Sequence, residues 1–303
     1  MSTNKIPGFF IVGAPKSGTT SLYFYLKQLP EIFLPRIKEL NYFCTDLHFR
    51  FPLLTEEQFF GYYDGWKNEK IAGEISVWNL FSRAAPGNIY KLNPDSKIII
   101  LLRNPVEMMV ALHSNHVFND NEIILDFEDA VKAEEDRKKG NLISPTIKCP
   151  VEGLYYTEVA SYFVQVKRYI DVFGKENVKI ILFEEFKKDV TTAYKEVIKF
   201  LEITSDFNPD FKVYNSRKIS RSKLLKRLIV APPALIKSLG AIFFPHQTKR
   251  RDWLMYWLWK VNTKNKEPEQ IDSAFKRKLM LKLMPDIKNL ERLVERNLTE
   301  WYR

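Results

Sequence analysis

The chain has 303 residues, 45% of them hydrophobic, and a formal net charge of +10. This length and composition suit one large α/β domain with a substantial core, and they exclude a disordered chain. Cys44 and Cys149 are too few for a disulfide framework and lack the spacing of a metal site, so we expect no bound metal. The N-terminus, MSTNKIPG, has no signal-peptide pattern, which predicts a cytoplasmic location.

The first element is an apolar strand that runs into a loop rich in glycine and hydroxyl groups, FFIVGAPKSGTTS at Phe9–Ser21. In the ATP-binding pattern GxxxxGK(S/T) the lysine follows the second glycine, whereas here that position is Thr19 and the lysine stands earlier, at Lys16. Because unpaired N–H groups and the helix dipole favour an anion at a helix start, the pattern predicts a phosphate-binding loop. The alternative is a plain strand-to-helix turn with a Ser/Thr cap. The residues expected at the phosphate are Lys16, Ser17, Gly18, Thr19, Thr20 and Ser21.

Short β-branched or aromatic runs alternate with helical stretches along the first two thirds of the chain. This alternation predicts a P-loop-like, doubly wound parallel sheet flanked by helices, with a helical C-terminal cap. We interpret 1–303 as a single domain, with an α/β core at 5–215 and a basic, aromatic-rich helical part at 216–303. The predicted strands are Phe9–Gly13, Ile71–Ile75, Ile98–Arg103 and Val178–Phe183. The predicted helices are Gly18–Gln28, one that starts at Asn104-Pro105, Ala130–Lys139 behind a cap at Asp126–Asp129, Gly153–Phe173 before Gly174, and one from Asp189 to about Leu201.

The third predicted strand ends in Arg103, where a nucleotide hydrolase would carry an aspartate for magnesium. The guanidinium offers a bidentate fork and the helix start at Asn104-Pro105 offers free N–H groups, which together predict a second anion site. The alternative is a structural ion pair between Arg103 and Glu107. Ligands bind beyond the carboxyl ends of parallel strands, so both anion sites fall on one edge of the sheet. Two phosphate sites without a magnesium aspartate indicate a nucleotide with phosphates at both ends of its ribose.

The positive charge is concentrated between residues 217 and 260, where 11 lysines and arginines stand against one acid, Asp252. The stretch has no recognisable nucleic-acid-binding motif, so we expect an anionic nucleotide, an acidic acceptor or a membrane surface as its partner, and not nucleic acid. Pro232-Pro233 and Lys237 interrupt its apolar run, which argues against a membrane-spanning helix. The aromatic cluster at 253–259 leaves three interpretations open: an acceptor cleft, a peripheral membrane contact or a helical cap.

Five blocks in order along 7–201 resemble the sulfotransferases that use 3′-phosphoadenosine 5′-phosphosulfate (PAPS), and the resemblance is closest to the bacterial and heparan-type branch. The C-terminal segment 286–301 also resembles that branch. The blocks are PKSGTTSL at Pro15–Leu22, KELNYF at Lys38–Phe43, GEISVW at Gly73–Trp78, LLRNPVE at Leu101–Glu107 and FEEFKKD at Phe183–Asp189.

The resemblance implies how the donor nucleotide is held. It places the 5′-phosphate at Lys16–Ser21 and the 3′-phosphate at Arg103. Family members usually carry a serine on the 3′-phosphate where this chain has Ala111. Ser114, one helical turn further on, is a tentative substitute, and Arg221 is a tentative second one.

The residue types also suggest a mechanism for sulfuryl transfer to a hydroxyl or amine. Lys16 can neutralise charge that builds on the bridging oxygen of the leaving phosphate. The resemblance implies Glu39 as the base that removes the acceptor proton, with Lys38 beside it, and Glu74 is the second choice. The alternative for Glu39 is a solvated loop acid paired with Arg36 or Lys38. His113 and His116 lie on one predicted helix but have no third metal ligand nearby in sequence.

The expected activity is therefore PAPS-dependent sulfation of a small-molecule, glycan or lipid acceptor. Two other functions stay open: a P-loop kinase or nucleotidase, and a non-catalytic module that binds nucleotides or polyanions.

Overall fold

A parallel sheet of five strands, in the order β2-β3-β1-β4-β5, forms the centre of the computed structural model. The structure describes residues 6–212 and 271–302, together with 218–220, 257, 261 and 263–265. All four pairings in this sheet are parallel, which confirms the predicted fold class. The strands are β1 (Phe9–Gly13), β2 (Ile32–Phe33), β3 (Ile71–Ile75), β4 (Lys97–Leu102) and β5 (Val178–Leu182).

Helices cover both faces of this sheet. The α-helices are α1 (Thr19–Leu26), α2 (Glu56–Gly61), α3 (Ala85–Leu92), α4 (Pro105–Phe118), α5 (Phe127–Lys132), α6 (Glu134–Lys138), α7 (Tyr156–Val159), α8 (Tyr162–Phe173), α9 (Phe183–Lys188), α10 (Val190–Phe200) and α11 (Ser273–Val294). Short 3₁₀ helices span Val77–Asn79, Val151–Leu154, Lys175–Asn177 and Thr299–Trp301.

Alternate residues of a strand point to opposite faces of the sheet, and each face has its own hydrophobic core. Phe9 and Ile11 of β1 pack with the apolar side chains of α1 and α10. Phe10 and Val12 pack on the other side with those of α4, α8 and α11. Because both faces are covered, all five residues of β1 are buried, which explains why the strand reads as a continuous apolar run.

Gly73 of β3 lies opposite Phe9 of β1. A Cβ atom at Gly73 would lie 2.2 Å from the Phe9 ring, so the close approach of the two strands requires a glycine there.

Sequence-local features of the helices are confirmed. The Oδ1 atoms of Asp126 and Asp189 accept hydrogen bonds at 2.9 Å from the N–H groups of Asp129 and Thr192, as expected of N-caps. Gly174 ends α8 with a φ of 79°, which a glycine adopts without strain.

The predicted single helix Gly153–Phe173 is wrong, because the chain forms a 3₁₀ turn and two separate helices there. The Asp286 carboxylate of α11 accepts the Phe163 N–H at 3.2 Å and gives α8 its own start. The Gln165 amide donates to the carbonyls of Glu158, Val159 and Ser161 and so holds the junction between α7 and α8. The predicted helix Ala130–Lys139 is likewise divided, into α5 and α6.

The chain separates into two compact units, 1–214 with 271–303, and 215–270. Helix α11 belongs to the first unit, because Phe275, Leu279 and Leu283 join the core on one face of the sheet. The second unit contains an antiparallel pair, β6 (Lys218–Ser220) with β7 (Thr263–Asn265). The assignment of both units to one domain stays a prediction. Among the described residues, no helix combines the length and apolar character needed to cross a membrane.

Candidate active site

Three neighbouring strands bring the predicted site residues to one edge of the sheet. β1 lies between β3 and β4, and all three run in the same direction. The loop that contains Lys16 follows β1, Ser76 follows β3, and Arg103 follows β4. The carboxyl edge of a parallel sheet is where such folds bind their ligands.

The loop between β1 and α1 has the shape of an anion cradle. The Ala14 N–H donates to the Leu101 carbonyl oxygen at 2.6 Å, which anchors the loop on β4. Lys16 and Gly18 adopt positive φ angles of 58° and 94°. A Cβ at Gly18 would lie 3.2 Å from the rings of Phe183 and Phe186, so a glycine suits both its backbone angle and its packing.

Helix α1 begins at Gly18, and among the described residues no side chain caps it and no acid lies in its first turn. The alternative of a plain Ser/Thr-capped turn therefore does not describe this loop. Ser17 and Thr19 are buried, and the Ser17 hydroxyl donates to the Pro15 carbonyl oxygen at 3.3 Å. Lys16, Gly18, Thr20 and Ser21 are partly exposed, so the loop presents these residues to a ligand.

Arg103 connects this loop to the next strand. Its Nη1 donates to the Lys16 carbonyl oxygen at 3.4 Å, and its guanidinium carbon lies 4.8 Å from the centre of the Phe183 ring. Its Nη2 pairs with Glu107 Oε2 at 2.8 Å, so the ion pair considered as the alternative is present. The Glu107 side chain is 55% exposed, however, and an ion pair with so exposed a partner is weak enough for an anion to compete.

The start of α4 differs from the prediction. Asn104 Oδ1 accepts the N–H groups of Val106 at 3.1 Å and Glu107 at 3.2 Å, and the Asn104 N–H donates to Glu184 Oε1 at 3.0 Å. The prediction that free N–H groups here help to bind an anion is therefore wrong, because these donors are satisfied within the protein. The Asn104 side chain also donates to the Trp301 carbonyl oxygen at 3.3 Å, which ties the C-terminus to this part of the site.

Glu39 lies beside the end of β3. Its N–H donates to the Ile75 carbonyl oxygen at 2.7 Å, its Oε2 accepts the Val77 N–H at 2.9 Å, and its Oε1 pairs with Lys38 Nζ. The ion pair with Lys38 is the alternative considered from the sequence. The hydrogen bond from the Val77 N–H is not part of that alternative. It fixes the Glu39 carboxylate, which is 29% exposed, at the edge of the site.

Glu74 is enclosed behind Glu39. It is 1% exposed, its Oε1 accepts the Ser76 hydroxyl, and its Oε2 accepts the Asn79 amide at 3.0 Å. Burial raises the pKa of Glu74 to about 8, the negative charge of Glu39 adds to the rise, and the two hydrogen bonds oppose it. The sequence singled out Glu74 but not Ser76, although the two lie two residues apart and thus project to the same side of an extended segment.

Helix α4 continues from Arg103 into the protein. Ala111 is buried and Ser114 is partly buried one turn further on. His113 Nε2 lies 2.9 Å from the Ile124 carbonyl oxygen, and His116 Nε2 lies 3.2 Å from that of Gly153. The pKa of His116 is lowered to about 3, mainly by burial and in smaller part by the positive charges of Lys16 and Arg137, while the contact with the Gly153 carbonyl opposes the fall.

Within the described ranges, no group of three His, Cys, Asp or Glu side chains could hold a metal ion. Arg221 lies outside the described residues.

The parallel sheet, the glycine loop at its edge and the arginine after the next strand define a nucleotide-binding α/β protein of the P-loop type. The chain belongs to the sulfotransferase family, since the model of the sulfotransferase domain matches residues 7–223. This confirms the assignment made from the five sequence blocks. Proteins of this family use PAPS as the sulfuryl donor, which agrees with the predicted donor.

Similar proteins come from bacteria and eukaryotes. A crystal structure of a sulfotransferase from Alicyclobacillus acidocaldarius is 29% identical, with a TM-score of 0.73, over 98% of this chain and 99% of that one. The membrane-associated sulfotransferase kil1 of Dictyostelium discoideum is 30% identical over 102 residues, which cover 34% of this chain and 21% of the relative. The bifunctional heparan sulfate N-deacetylase/N-sulfotransferase 4 of Mus musculus is 26% identical over 215 residues, 67% of this chain and 23% of the relative. The chain thus spans less than a quarter of either of these two curated relatives.

Proposed function

We propose that the protein transfers a sulfuryl group from PAPS to a hydroxyl or amine of an acceptor. The observation that carries the proposal is the contact between Arg103 Nη1 and the Lys16 carbonyl oxygen at 3.4 Å. It brings the two predicted phosphate-binding elements side by side, as a nucleotide with phosphates at both ends of one ribose requires. Membership of the sulfotransferase family supports the same donor.

In this proposal Lys16–Ser21 hold the 5′-phosphosulfate and Arg103 holds the 3′-phosphate. The start of α1 contributes N–H donors and the positive end of its dipole. The guanidinium forms a charge-assisted, forked contact with phosphate oxygens, and the Phe183 ring supports its plane. Ser114 and Arg221 are proposed as further contacts to the 3′-phosphate.

The reaction consists of breaking the bond between sulfur and the bridging phosphate oxygen while the acceptor oxygen or nitrogen bonds to sulfur. The Lys16 ammonium neutralises the charge that builds on the bridging oxygen. Glu39 takes the acceptor proton, and Val77 N–H keeps its carboxylate in place. Lys38 already contacts Glu39, so its ammonium is available to a sulfuryl oxygen that approaches the same carboxylate.

The acceptor is proposed only as a class, namely a small molecule, glycan or lipid. The heparan sulfate named in the mouse relative supports a glycan. The basic stretch 217–260 and the membrane-associated relative from Dictyostelium support peripheral membrane contact. We also propose a cytoplasmic location. Cell fractionation with an antibody to the chain tests it.

Transfer of ³⁵S-sulfate from labelled PAPS to a panel of sugars, phenols, amines and lipids tests the activity. We expect a labelled product, and Lys16→Ala should nearly abolish it. Lys91→Ala, which removes an exposed lysine on α3, is the matched control and should leave the rate unchanged.

Thermal unfolding with nucleotides separates the other functions. Stabilisation by adenosine 3′,5′-bisphosphate is expected. Stabilisation by ATP with magnesium but not by the bisphosphate would indicate a kinase or nucleotidase. Bisphosphate binding without transfer to any acceptor would indicate a binding module.

A further inference from the structure

Glu74 has a set of contacts that the proposed chemistry does not use. It lies on β3 opposite Phe10, and both of its carboxyl oxygens are occupied by Ser76 and Asn79. Because it is 1% exposed, no acceptor can reach it without a rearrangement of the strand ends. The structure therefore does not favour Glu74 as the group that removes the acceptor proton.

Both partners of Glu74 hold the loop that carries Glu39. Ser76 Oγ accepts the Asn41 N–H at 2.9 Å, and Asn79 Oδ1 accepts the Cys44 thiol at 3.0 Å. One carboxyl group thus connects the end of β3 to two points of the loop, on the C-terminal side of Glu39. The bonds that Glu39 itself makes to Ile75 and Val77 complete the attachment.

The ionisable groups around Glu74 come from the loop of Lys38 and Glu39, from the segment after α2 and from α8. Glu39 and Lys38 approach from the loop with opposite charges, and their effects on the Glu74 pKa oppose each other. Cys44 on the loop, Tyr63 after α2 and Tyr169 on α8 are buried, and burial together with the charge of Glu74 raises the pKa of each. These three groups are therefore neutral near pH 7 and do not compensate a charge on Glu74.

Burial favours the uncharged form of this carboxyl group and outweighs the hydrogen bonds from the Ser76 hydroxyl and the Asn79 amide, which favour the charged form. In the uncharged form one oxygen still accepts the Asn79 amide, while the other donates its proton to Ser76 Oγ and no longer accepts the Ser76 hydroxyl. Ser76 Oγ still accepts the Asn41 N–H. A glutamine side chain reproduces this arrangement, because its oxygen can face Asn79 and its NH₂ can face Ser76. An ionised carboxylate would instead place a second negative charge behind Glu39 in a buried site.

We propose that Glu74 is a positioning residue which, as a neutral carboxylic acid, holds the loop of Lys38 and Glu39 against the end of β3 through Ser76 and Asn79. This role rests on the proposed function of Glu39 as the base. Ionisation of Glu74 would add a buried negative charge behind that of Glu39, so the rate of transfer should fall as the pH rises above about 8 in the unmodified protein.

Four variants test the role: Glu74→Gln, Glu74→Ala, Ser76→Ala and, as a control, Glu134→Gln. Glu134 is also a buried glutamate with hydrogen bonds, to Thr157, but it lies outside the site. Steady-state kinetics from pH 6 to 9 gives kcat and the donor KM for each variant. Hydrogen exchange of the peptide 37–45 measures how firmly the loop is held, independently of activity.

Glu74→Gln should keep kcat near pH 7 and lose the decline at alkaline pH. Glu74→Ala leaves buried polar partners unsatisfied, so its kcat should fall about tenfold or more while the donor KM changes little. Ser76→Ala should lower kcat in the same direction, and both truncations should speed exchange at Asn41. Glu134→Gln should change none of these readouts.

Two results would overturn the role. A Glu74→Gln protein that folds, exchanges slowly at 37–45 and yet loses activity as fully as Glu39→Gln would make Glu74 the reacting carboxylate. Unchanged kcat and unchanged exchange in both Glu74→Ala and Ser76→Ala would mean that the network does not hold the loop. If Glu74→Ala does not fold, the positioning role is tested by Ser76→Ala and Glu74→Gln alone. If the unmodified protein transfers no sulfuryl group to any acceptor, the proposed function is refuted. The hydrogen-exchange data still test whether Glu74 and Ser76 hold the loop.

Discussion

Arg103→Lys tests the assignment of the 3′-phosphate site, because it keeps a positive charge but removes the fork. In the structure the guanidinium reaches the Lys16 carbonyl oxygen, Glu107 and the Phe183 ring at once. A lysine ammonium cannot make a bidentate contact to phosphate, and it loses the contact of the guanidinium with the Phe183 ring. One charge-assisted hydrogen bond is worth about 1.5–3 kcal/mol, so affinity for adenosine 3′,5′-bisphosphate should fall roughly 10- to 150-fold.

Isothermal titration calorimetry with two nucleotides separates the loss of the contact between residue 103 and the 3′-phosphate from a displacement of the loop at Lys16. Adenosine 5′-monophosphate lacks the 3′-phosphate but still occupies the loop at Lys16. Arg103→Lys should therefore weaken the bisphosphate much more than the monophosphate. Glu107→Gln is the control, since it removes the competing ion pair, and it should leave bisphosphate affinity unchanged or slightly higher. An equal loss for both nucleotides in Arg103→Lys would refute the assignment.

Three further predictions follow from the same structure. Glu39→Gln should lower kcat about 100-fold or more without loss of bisphosphate affinity, because it removes a proton acceptor and keeps the shape; a full rate would exclude Glu39 as the base. Gly73→Ala should destabilise the fold by about 1–3 kcal/mol in urea unfolding, because its Cβ would clash with the Phe9 ring at 2.2 Å. Gly87→Ala, on α3 with nothing within 4 Å of the added Cβ, is its control and should be neutral or stabilising. The third concerns pH: folding raises the pKa of Glu74 to about 8 from 4.5, so the folded state binds the extra proton and stability should fall as the pH rises between these values. The slope approaches about 1.4 kcal/mol per pH unit, and Glu74→Gln should remove this component. If the unmodified protein and Glu74→Gln differ in their free energy of unfolding by the same amount at pH 5.5 and at pH 7.5, this prediction is contradicted.

The sequence predicted the central strands well because their signal is local. β1 and β3 have the predicted bounds, β4 differs from its prediction by one residue at each end, and β5 differs by one residue at its C-terminal end. Full burial on both faces makes each strand a short apolar run with a clear start and stop. β2 was not predicted, because its two residues are too short to produce such a pattern.

The ends of the helices could also be predicted only where the capping residue lies close in sequence. Caps that lie within three residues of the donors they satisfy, such as Asn104 and Asp189, were readable from the chain. The break before α8 was not, because its cap comes from Asp286, 123 residues away. The occupied N–H groups at the start of α4 have two origins: Asn104 itself satisfies those of Val106 and Glu107, whereas the Asn104 N–H donates to Glu184, 80 residues away, which the sequence could not show.

The sequence by itself determined the family and singled out the candidate phosphate-binding loop and the candidate residues Lys16, Glu39 and Arg103, because these depend on residue types at short spacings. Only the tertiary structure decided what surrounds them. It placed Arg103 on the Lys16 carbonyl, fixed Glu39 on the Val77 N–H, and enclosed Glu74 behind Ser76. These relations depend on which strands are neighbours and on their register, and burial at the end of β3 raises the pKa of Glu74.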